Sequence, residues 1–397
     1  MAIQQSEEVI AGGPDDYLEA RHVVLRGTNR EIGKAIGNIA RSVFDSKPLG
    51  TANPIRAEES RRYLHEHYPI HEQRILGAAD AYGIAEEDAT FIALPYLLPL
   101  PGCSVAFVPP AKTANGGGLV SRNLDFPLEF GATPPDADRL AGSVMTTGVK
   151  TGSRPYLFEV YPDEGYPSLY FDLYDLFACC DGINSEGLVV AMLADDESMA
   201  RYPGPPITKV GMGLHPLQTT RLLLDTCATA EEAKRKLLRT KTYAFMIPCH
   251  FLIADRHGNS FVWEWSFKQG TEHIVEGGGD IQVVTNHLLH EPASANISVE
   301  TDPGWTHTRL ARFTEAVARV GDGINSEQLR NAHAGVRFTK AFAREITGNP
   351  DADTVGRTIW HAVYDIDARS IDVSFYLGDN EDGTDRRSEY RTFGLAT

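Results

Sequence analysis

Pro101-Gly102-Cys103-Ser104-Val105-Ala106-Phe107-Val108 and, further on, Leu119-Val120-Ser121-Arg122-Asn123-Leu124-Asp125-Phe126 are two mainly apolar runs. They flank the turn-forming residues Thr113-Ala114-Asn115-Gly116-Gly117-Gly118, and this pattern predicts a β-hairpin. Arg122 and Asp125 lie inside an otherwise apolar strand, where charge is costly unless it is paired or used. A cysteine opening such a strand is commonly a small buried hydrophobe. Here Gly102 precedes the thiol, leaving its carbonyl sterically open and the backbone free to take up strained geometry. Together these features favour Cys103 as a rigidly held nucleophile.

Upstream of the hairpin the texture is helical. After a short strand-like run at His22–Leu25, Thr28 or Asn29 caps a helix to about Phe44, with Ile32, Ala35, Ile36 and Ile39 on one face. A second helical pattern runs from about Ala57 to Tyr82 and breaks at Pro69. A third spans Glu86–Leu94, before a proline-rich close at residues 98–102. Residues 1–102 therefore read as a helical leader and 103–397 as the body. In the body, strands are expected at Ser143–Val149, Tyr156–Tyr161, Leu169–Tyr174 and Gly187–Leu193. Helices follow at Leu217–Cys227 and after Thr229, with Glu232 at capping-box spacing. Strands resume at His250–Ala254, Ser260–Trp265 and Ile281–Thr285. Helices at Thr306–Val320 and Ser326–Ala334 precede a last strand pair, Arg357–Asp365 and Ile371–Tyr376. This order suits an α+β chain with two sheets packed face to face between helical layers.

Composition excludes several function classes. The 397 residues are 42% hydrophobic and 23% charged, the balance of a globular chain with a sizeable core. A net charge of −17 repels phosphate backbones, so nucleic acid is not an expected partner. The most apolar stretch, Ala89–Leu100, is interrupted by Pro95 and Pro99 and is too short to span a bilayer, so no membrane partner is expected. The N-terminus is acidic and lacks the apolar core of a secretory signal. Five cysteines, an odd number, do not make a disulfide framework, which leaves a reduced, cytoplasmic protein as the expectation.

The pair Gly102-Cys103-Ser104 and Ser121-Arg122-Asn123-Leu124-Asp125-Phe126 resembles the N-terminal nucleophile (Ntn) hydrolases that cleave linear amides. These are the choloylglycine hydrolase and penicillin V acylase group and the acyl-coenzyme A:6-aminopenicillanic acid acyltransferase group. Asp181-Gly182-Ile183-Asn184-Ser185-Glu186-Gly187-Leu188 is similar to the family's DGxNExGL turn, with Ser185 as an extra residue, and Ala191-Met192-Leu193 to the strand after it. Val284-Thr285-Asn286-His287 resembles its TN segment, and Thr308-Arg309-Leu310-Ala311-Arg312-Phe313 its later Ser/Thr-Arg helix. In the leader, Leu25 to Gly33 resembles the pre-nucleophile segment of the acyltransferase branch. The fold so implied is a four-layer αββα Ntn-hydrolase sandwich with a helical, propeptide-like leader.

The resemblance also implies chemistry. Cleavage at Gly102-Cys103 frees Cys103 as a new N-terminus, whose α-amine, with a pKa of roughly 8, serves as base to its own thiol. Asp125 accepts from that amine, Arg122 favours the thiolate, and Arg309 closes the polar network. The Asn286 side chain and the Ala194 backbone N–H are the implied oxyanion donors, each worth on the order of 3 kcal/mol. The substrate is a small-molecule amide, with no cofactor and no metal; relatives are often homo-oligomers. Transfer of the acyl group to an amine such as a β-lactam nucleus is the first alternative, and an uncleaved ligand-binding homologue the second. Asp195 and Asp196 read either as a solvated loop or as a site for a cationic substrate group. The alternatives of a buried Arg122–Asp125 ion pair that only fixes register and of a surface Arg309 stay open at this level.

The remaining motifs read as structure. Cys179 and Cys180 point to opposite faces of a strand. Cys249-His250 does not make a dyad for the same reason. Cys227 and Trp263-Glu264-Trp265 belong to the core, and Asn184 suits a left-handed turn position. His67 and His71 are expected to be solvated, because Pro69 interrupts the turn that a metal pair needs.

Overall fold

Alternation along the strands builds the core. In β3 (Gly102–Val108) and β4 (Leu119–Phe126), the residues Cys103, Val105, Phe107, Val120, Leu124 and Phe126 all face one way, into the main hydrophobic cluster. The two strands pair antiparallel with Cys103 opposite Leu124 and Gly102 opposite Asp125, as the hairpin pattern predicts. The computed structural model describes residues 3–44, 54–86, 89, 102–128, 149, 151–173, 179–201, 213–242, 248–266, 268–291, 297–354 and 356–396. The expected strand at 143–148, most of the helix at 86–94 and the proline-rich close up to residue 101 lie outside them.

Among the described residues two sheets form. The first has nine strands: β1 (Gln4–Gly12), β2 (Glu19–Gly27), β5 (Tyr156–Pro162), β6 (Ser168–Asp172), β7 (Asp181–Asn184), β8 (Val189–Ala194), β9 (Cys249–Ala254), β10 (Ser260–Ser266) and β11 (Thr271–Glu276), in that spatial order. The second has seven, in the order β12 (Gln282–Val284), β3, β4, β13 (Arg357–Asp365), β14 (Ser370–Asp379) and β15 (Asp385–Arg387), with β16 (Arg391–Gly394) also on β14. The inner faces of both sheets share one core, where Leu157, Phe171, Leu193 and Leu252 meet Phe107, Trp360, Tyr364 and Phe375. The outer face of the nine-stranded sheet packs on α1 (Asn29–Phe44), α5 (Pro216–Thr226) and α6 (Ala230–Arg239). The outer face of the other sheet packs on α7 (Thr306–Val320) and α8 (Ser326–Ala334). The result is the four-layer αββα sandwich.

Residues 1–102 are more than helical. Their strands β1 and β2 form one edge of the nine-stranded sheet, and β2 runs parallel to β5. Only the core of β2, His22–Leu25, has a strand-like signal; β1 is largely exposed and polar, and its residues show no apolar alternation. Helix α1 starts as expected, with Thr28 Oγ1 accepting from Glu31 N at 3.2 Å and Glu31 returning a bond to Thr28 N at 2.9 Å. The break at Pro69 divides α2 (Pro54–His67) from α3 (Pro69–Tyr82). Helices α1 and α3 cross at Gly33 and Gly77, where an added Cβ would lie 2.0 Å from Arg74 O and 1.9 Å from Arg30 O. His71 is not solvated. It is buried by α5, bonded to Gln218 at 3.0 Å and stacked on Tyr68, and burial pushes its pKa down to about 3. Next to it Arg74 reaches Asp225 of α5 at 2.5 Å, and Arg221 meets the same carboxylate at 2.6 Å.

Candidate active site

The site is built where β3 begins, between β12 and β4. Strand β12 pairs with β3 through Val284 and Val105, so the chain emerging from β12 carries Asn286 to the level of Cys103. Cys103 N donates to Asn286 Oδ1 at 2.5 Å, and Arg309 Nη2 donates to the same oxygen at 2.7 Å. Asn286 Nδ2 donates to Ala194 O at 2.7 Å. This network fixes the amide orientation, since the reverse would set its NH2 against two donors. Thr306 Oγ1, the first residue of α7, accepts from Asn286 N at 2.7 Å and holds the loop.

Arg309, one turn into α7, is fully buried rather than on the surface. Its Nη1 donates to Cys103 O at 2.8 Å and its Nε to Gly304 O at 2.9 Å, while the ring of Phe338 lies 4.9 Å from the guanidinium. Gly102 is wedged against this group. With φ +153°, it leaves no room for a side chain: a Cβ would meet Phe338 Cζ at 2.9 Å and Arg309 Nη2 at 3.0 Å.

Arg122 and Asp125 do not pair with each other. Three residues apart on one strand, they point to opposite faces. Arg122 lies with Cys103 between the sheets, hydrogen-bonded to the thiol and to Met192 O at 2.7 Å, with Asp181 Oδ1 3.4 Å away. Asp181 is also held by Tyr364 OH. Asp125 lies on the outer face, where Thr358 Oγ1 donates to its Oδ1 at 2.5 Å and Arg309 Nη1 stands 3.6 Å from Oδ2. In the uncut chain, Asn286 rather than Asp125 is the acceptor for Cys103 N.

Burial dominates the electrostatics. It pushes the Cys103 thiol up, against the opposing pull of Arg122. It also raises Asp125 to about 6, with Arg309 and Thr358 pulling the other way. For Arg122 burial disfavours the charge, but Cys103 and Asp181 outweigh it and the net shift is upward.

Asp195 and Asp196 are buried, which removes the solvated-loop reading. They open the short helix α4 (Asp196–Arg201), where Asp195 Oδ1 accepts from Ser198 N at 3.0 Å and Asp196 N donates to Asn286 O at 3.0 Å. Asn184 does not take a left-handed conformation; Gly187 does, at φ +80°. The Asn184 side chain instead pins the β7–β8 turn to α5 through Leu224 O and Cys227 O, at 2.9 and 2.7 Å. Sequence reading missed Thr358, Thr306, Phe338 and Glu264. Buried Glu264 accepts from Leu289 N at 2.6 Å and His290 N at 3.1 Å and so anchors the loop after Asn286. Its place between two tryptophans that face the helical layer, and so on the strand face toward the other sheet, was the available signal. Among the described residues no cluster of His, Cys, Asp or Glu has the arrangement of a metal site, and no helix is long and apolar enough to cross a membrane.

A two-sheet sandwich with a glycine–cysteine bond held at the start of an inner strand has the architecture of the Ntn hydrolases. Residues 149–382, more than half of the chain, match the family model described as acyl-coenzyme A:6-aminopenicillanic acid acyl-transferase, and the protein belongs to that family. It is thereby an Ntn-fold enzyme of the amide hydrolase and acyltransferase type. Similar solved structures include penicillin V acylase from Agrobacterium tumefaciens, with 19% identity over 70% of this chain and 84% of that one, and a TM-score of 0.43. A variant of the conjugated bile acid hydrolase from Clostridium perfringens has 13% identity over 74% and 99%, with a TM-score of 0.43. The N-acylethanolamine-hydrolyzing acid amidase ortholog of Caenorhabditis elegans has 12% identity over 66% and 92%, with a TM-score of 0.39. No curated protein matches the chain in sequence.

Proposed function

We propose that the protein is a cysteine Ntn amide hydrolase that matures by cutting itself between Gly102 and Cys103. The observation that carries this reading is the grip on the Cys103 peptide: its N–H on Asn286, its carbonyl on Arg309 and its thiol on Arg122. In maturation, Cys103 Sγ attacks the Gly102 carbonyl carbon, the Gly102–Cys103 C–N bond breaks, and the departing nitrogen takes the thiol proton. Water then hydrolyses the thioester, leaving a Gly102 carboxylate and a Cys103 with free thiol and amine. Arg122 favours the thiolate, and Asp125 Oδ2 and Asn286 Oδ1 are acceptors for the new ammonium.

In turnover the same sulfur attacks a linear amide. The leaving amine takes its proton from the Cys103 ammonium, and an acyl-enzyme thioester remains for water. One hydrogen of the Asn286 amide is bonded to Ala194 O, so the second is left for the oxyanion, beside the backbone N–H of Ala194. Residues 1–102 act as the leader and 103–397 as the catalytic body, and the cut leader stays bound through β2 and Arg74. The family description supports a second reading, in which an amine replaces water and a new amide is the product.

N-terminal sequencing and intact-mass analysis test the maturation step. A chain starting at Cys103 is expected from the wild type, and 43.6 kDa persisting in Cys103→Ala. An amide panel run with and without an amine acceptor then separates hydrolysis from transfer. An uncut wild type that turns over no amide would favour the uncleaved, ligand-binding reading.

A further inference from the structure

Among the described residues neither carboxyl oxygen of Asp196 has a hydrogen-bond partner, although the residue is only 7% exposed. A buried, orphaned carboxyl is destabilising and calls for an explanation. Its position suggests one. Its backbone N–H is bonded to Asn286 O, and Asn286 holds Cys103 N, so the bare carboxyl belongs to the segment bordering the nucleophile. Neighbouring Asp195 already has a task, capping α4 through Ser198 N.

Among the described residues no cation in place satisfies Asp196. The three guanidinium nitrogens of Arg309 are directed to Gly304 O, Cys103 O and Asn286 Oδ1. Arg122 lies between the sheets with its donors on Met192 O, Asn123 O and Asp181. The proposed maturation adds one positive charge, the Cys103 ammonium, whose nitrogen is already on Asn286 Oδ1 and which the proposed mechanism also assigns to Asp125. Among the described residues, no hydrogen-bond donor reaches either oxygen of the Asp196 carboxyl. Burial pushes its carboxyl well up, against the opposing pull of Arg309.

We infer that Asp196 is a specificity-determining residue that receives a protonated amine of the substrate, so that the preferred amides carry an ammonium group near the reacting carbonyl. This rests on the reading of Cys103 as nucleophile. Two matched substrate pairs test it on the matured full chain. Glycyl-p-nitroanilide against acetyl-p-nitroanilide places the ammonium in the acyl part; N-acetyl-1,4-diaminobutane against N-butylacetamide places it in the amine part. Wild type is expected to favour the cationic member of one pair by about tenfold or more in kcat/KM, and Asp196→Asn and Asp196→Ala to erase that ratio.

Calorimetric titration with butylammonium reads the same site without turnover, and binding should weaken about tenfold in Asp196→Asn. A wild type indifferent to charge in both pairs, or a preference that survives both substitutions, overturns the inference. Turnover of neutral and cationic amides alike, with no butylammonium binding, removes the inference and leaves the nucleophile standing. Asp196-dependent butylammonium binding in a protein that turns over no amide keeps the cation site and removes the nucleophile.

Discussion

Gly102→Ala adds one methyl group at the bond proposed to break. Its Cβ would stand 2.9 Å from Phe338 Cζ and 3.0 Å from Arg309 Nη2, so the guanidinium must retreat by several tenths of an ångström. That nitrogen donates to Asn286 Oδ1 at 2.7 Å, and its twin to Cys103 O at 2.8 Å. A hydrogen bond to a charged group contributes about 1.5–3 kcal/mol, and loss of one from the fork slows cleavage roughly 10- to 150-fold. The positive φ adds strain of about 1–3 kcal/mol, spread between the precursor and its transition state. The assay is a time course of intact mass after rapid purification, with circular dichroism to show that the sandwich has formed. Cleavage of Gly102→Ala at the wild-type rate would refute the idea that Arg309 and Phe338 press the scissile peptide into a reactive position.

Three other outcomes follow from the same geometry. Asp225→Ala strands Arg74 and Arg221 without their shared carboxylate, a loss of about 3–5 kcal/mol for a buried pair; the wild-type leader should co-elute with the body after cleavage, and the variant leader should separate at lower denaturant. Asp125, raised to about 6 by burial, is an anion only above that pH. Cleavage should therefore rise from pH 5 to 7 and level off, and a flat profile would count against Asp125 as acceptor. The stability linked to this group runs the other way: the folded state holds the proton more tightly, so the contribution is full below about pH 4 and is lost as pH rises through about 6. Glu264→Gln leaves one carbonyl oxygen for two backbone N–H groups, at a cost of about 1–3 kcal/mol; turnover should fall by about tenfold as the Asn286 loop loosens, with the same mature N-terminus.

The sequence carried the hairpin, most body strands and the helices α7 and α8 because their apolar periods are clean and their turns are marked. It hid β1 because an exposed edge strand has no buried face to leave a pattern. It also hid α4 and the burial of Asp195 and Asp196, since acidic residues read as solvated unless their surroundings are known. Cys103, Asn286 and Arg309 were legible as a set through ordered motifs, and the structure brings all three to one peptide. Their partners were not legible. Thr358 meets Asp125 from 233 positions away, and no local pattern announces a hydroxyl that completes a distant carboxylate.

The opposite facing of Arg122 and Asp125 explains why two charges on an inner strand are tolerated and useful. A strand can present a cation to a thiol on one face and a carboxylate to the neighbouring backbone on the other, provided each face has its own compensation. Between the sheets that compensation is Asp181, backed by Tyr364; on the outer face it is Arg309 and Thr358. Were the two charges a single ion pair, they would neutralise each other and leave the sulfur and the peptide unattended. In the proposed mechanism, separation by the sheet lets Arg122 act on Sγ and leaves Asp125 for the nitrogen once it is freed, the two atoms that a self-activating N-terminal cysteine must control. The same division predicts opposite changes: Arg122→Met should blunt alkylation of Cys103 by iodoacetamide, whereas Asp125→Asn, which removes a charge that pushes the thiol up, should not blunt it and should remove the acid limb of cleavage. If both variants changed thiol reactivity alike, the two faces would not be working independently.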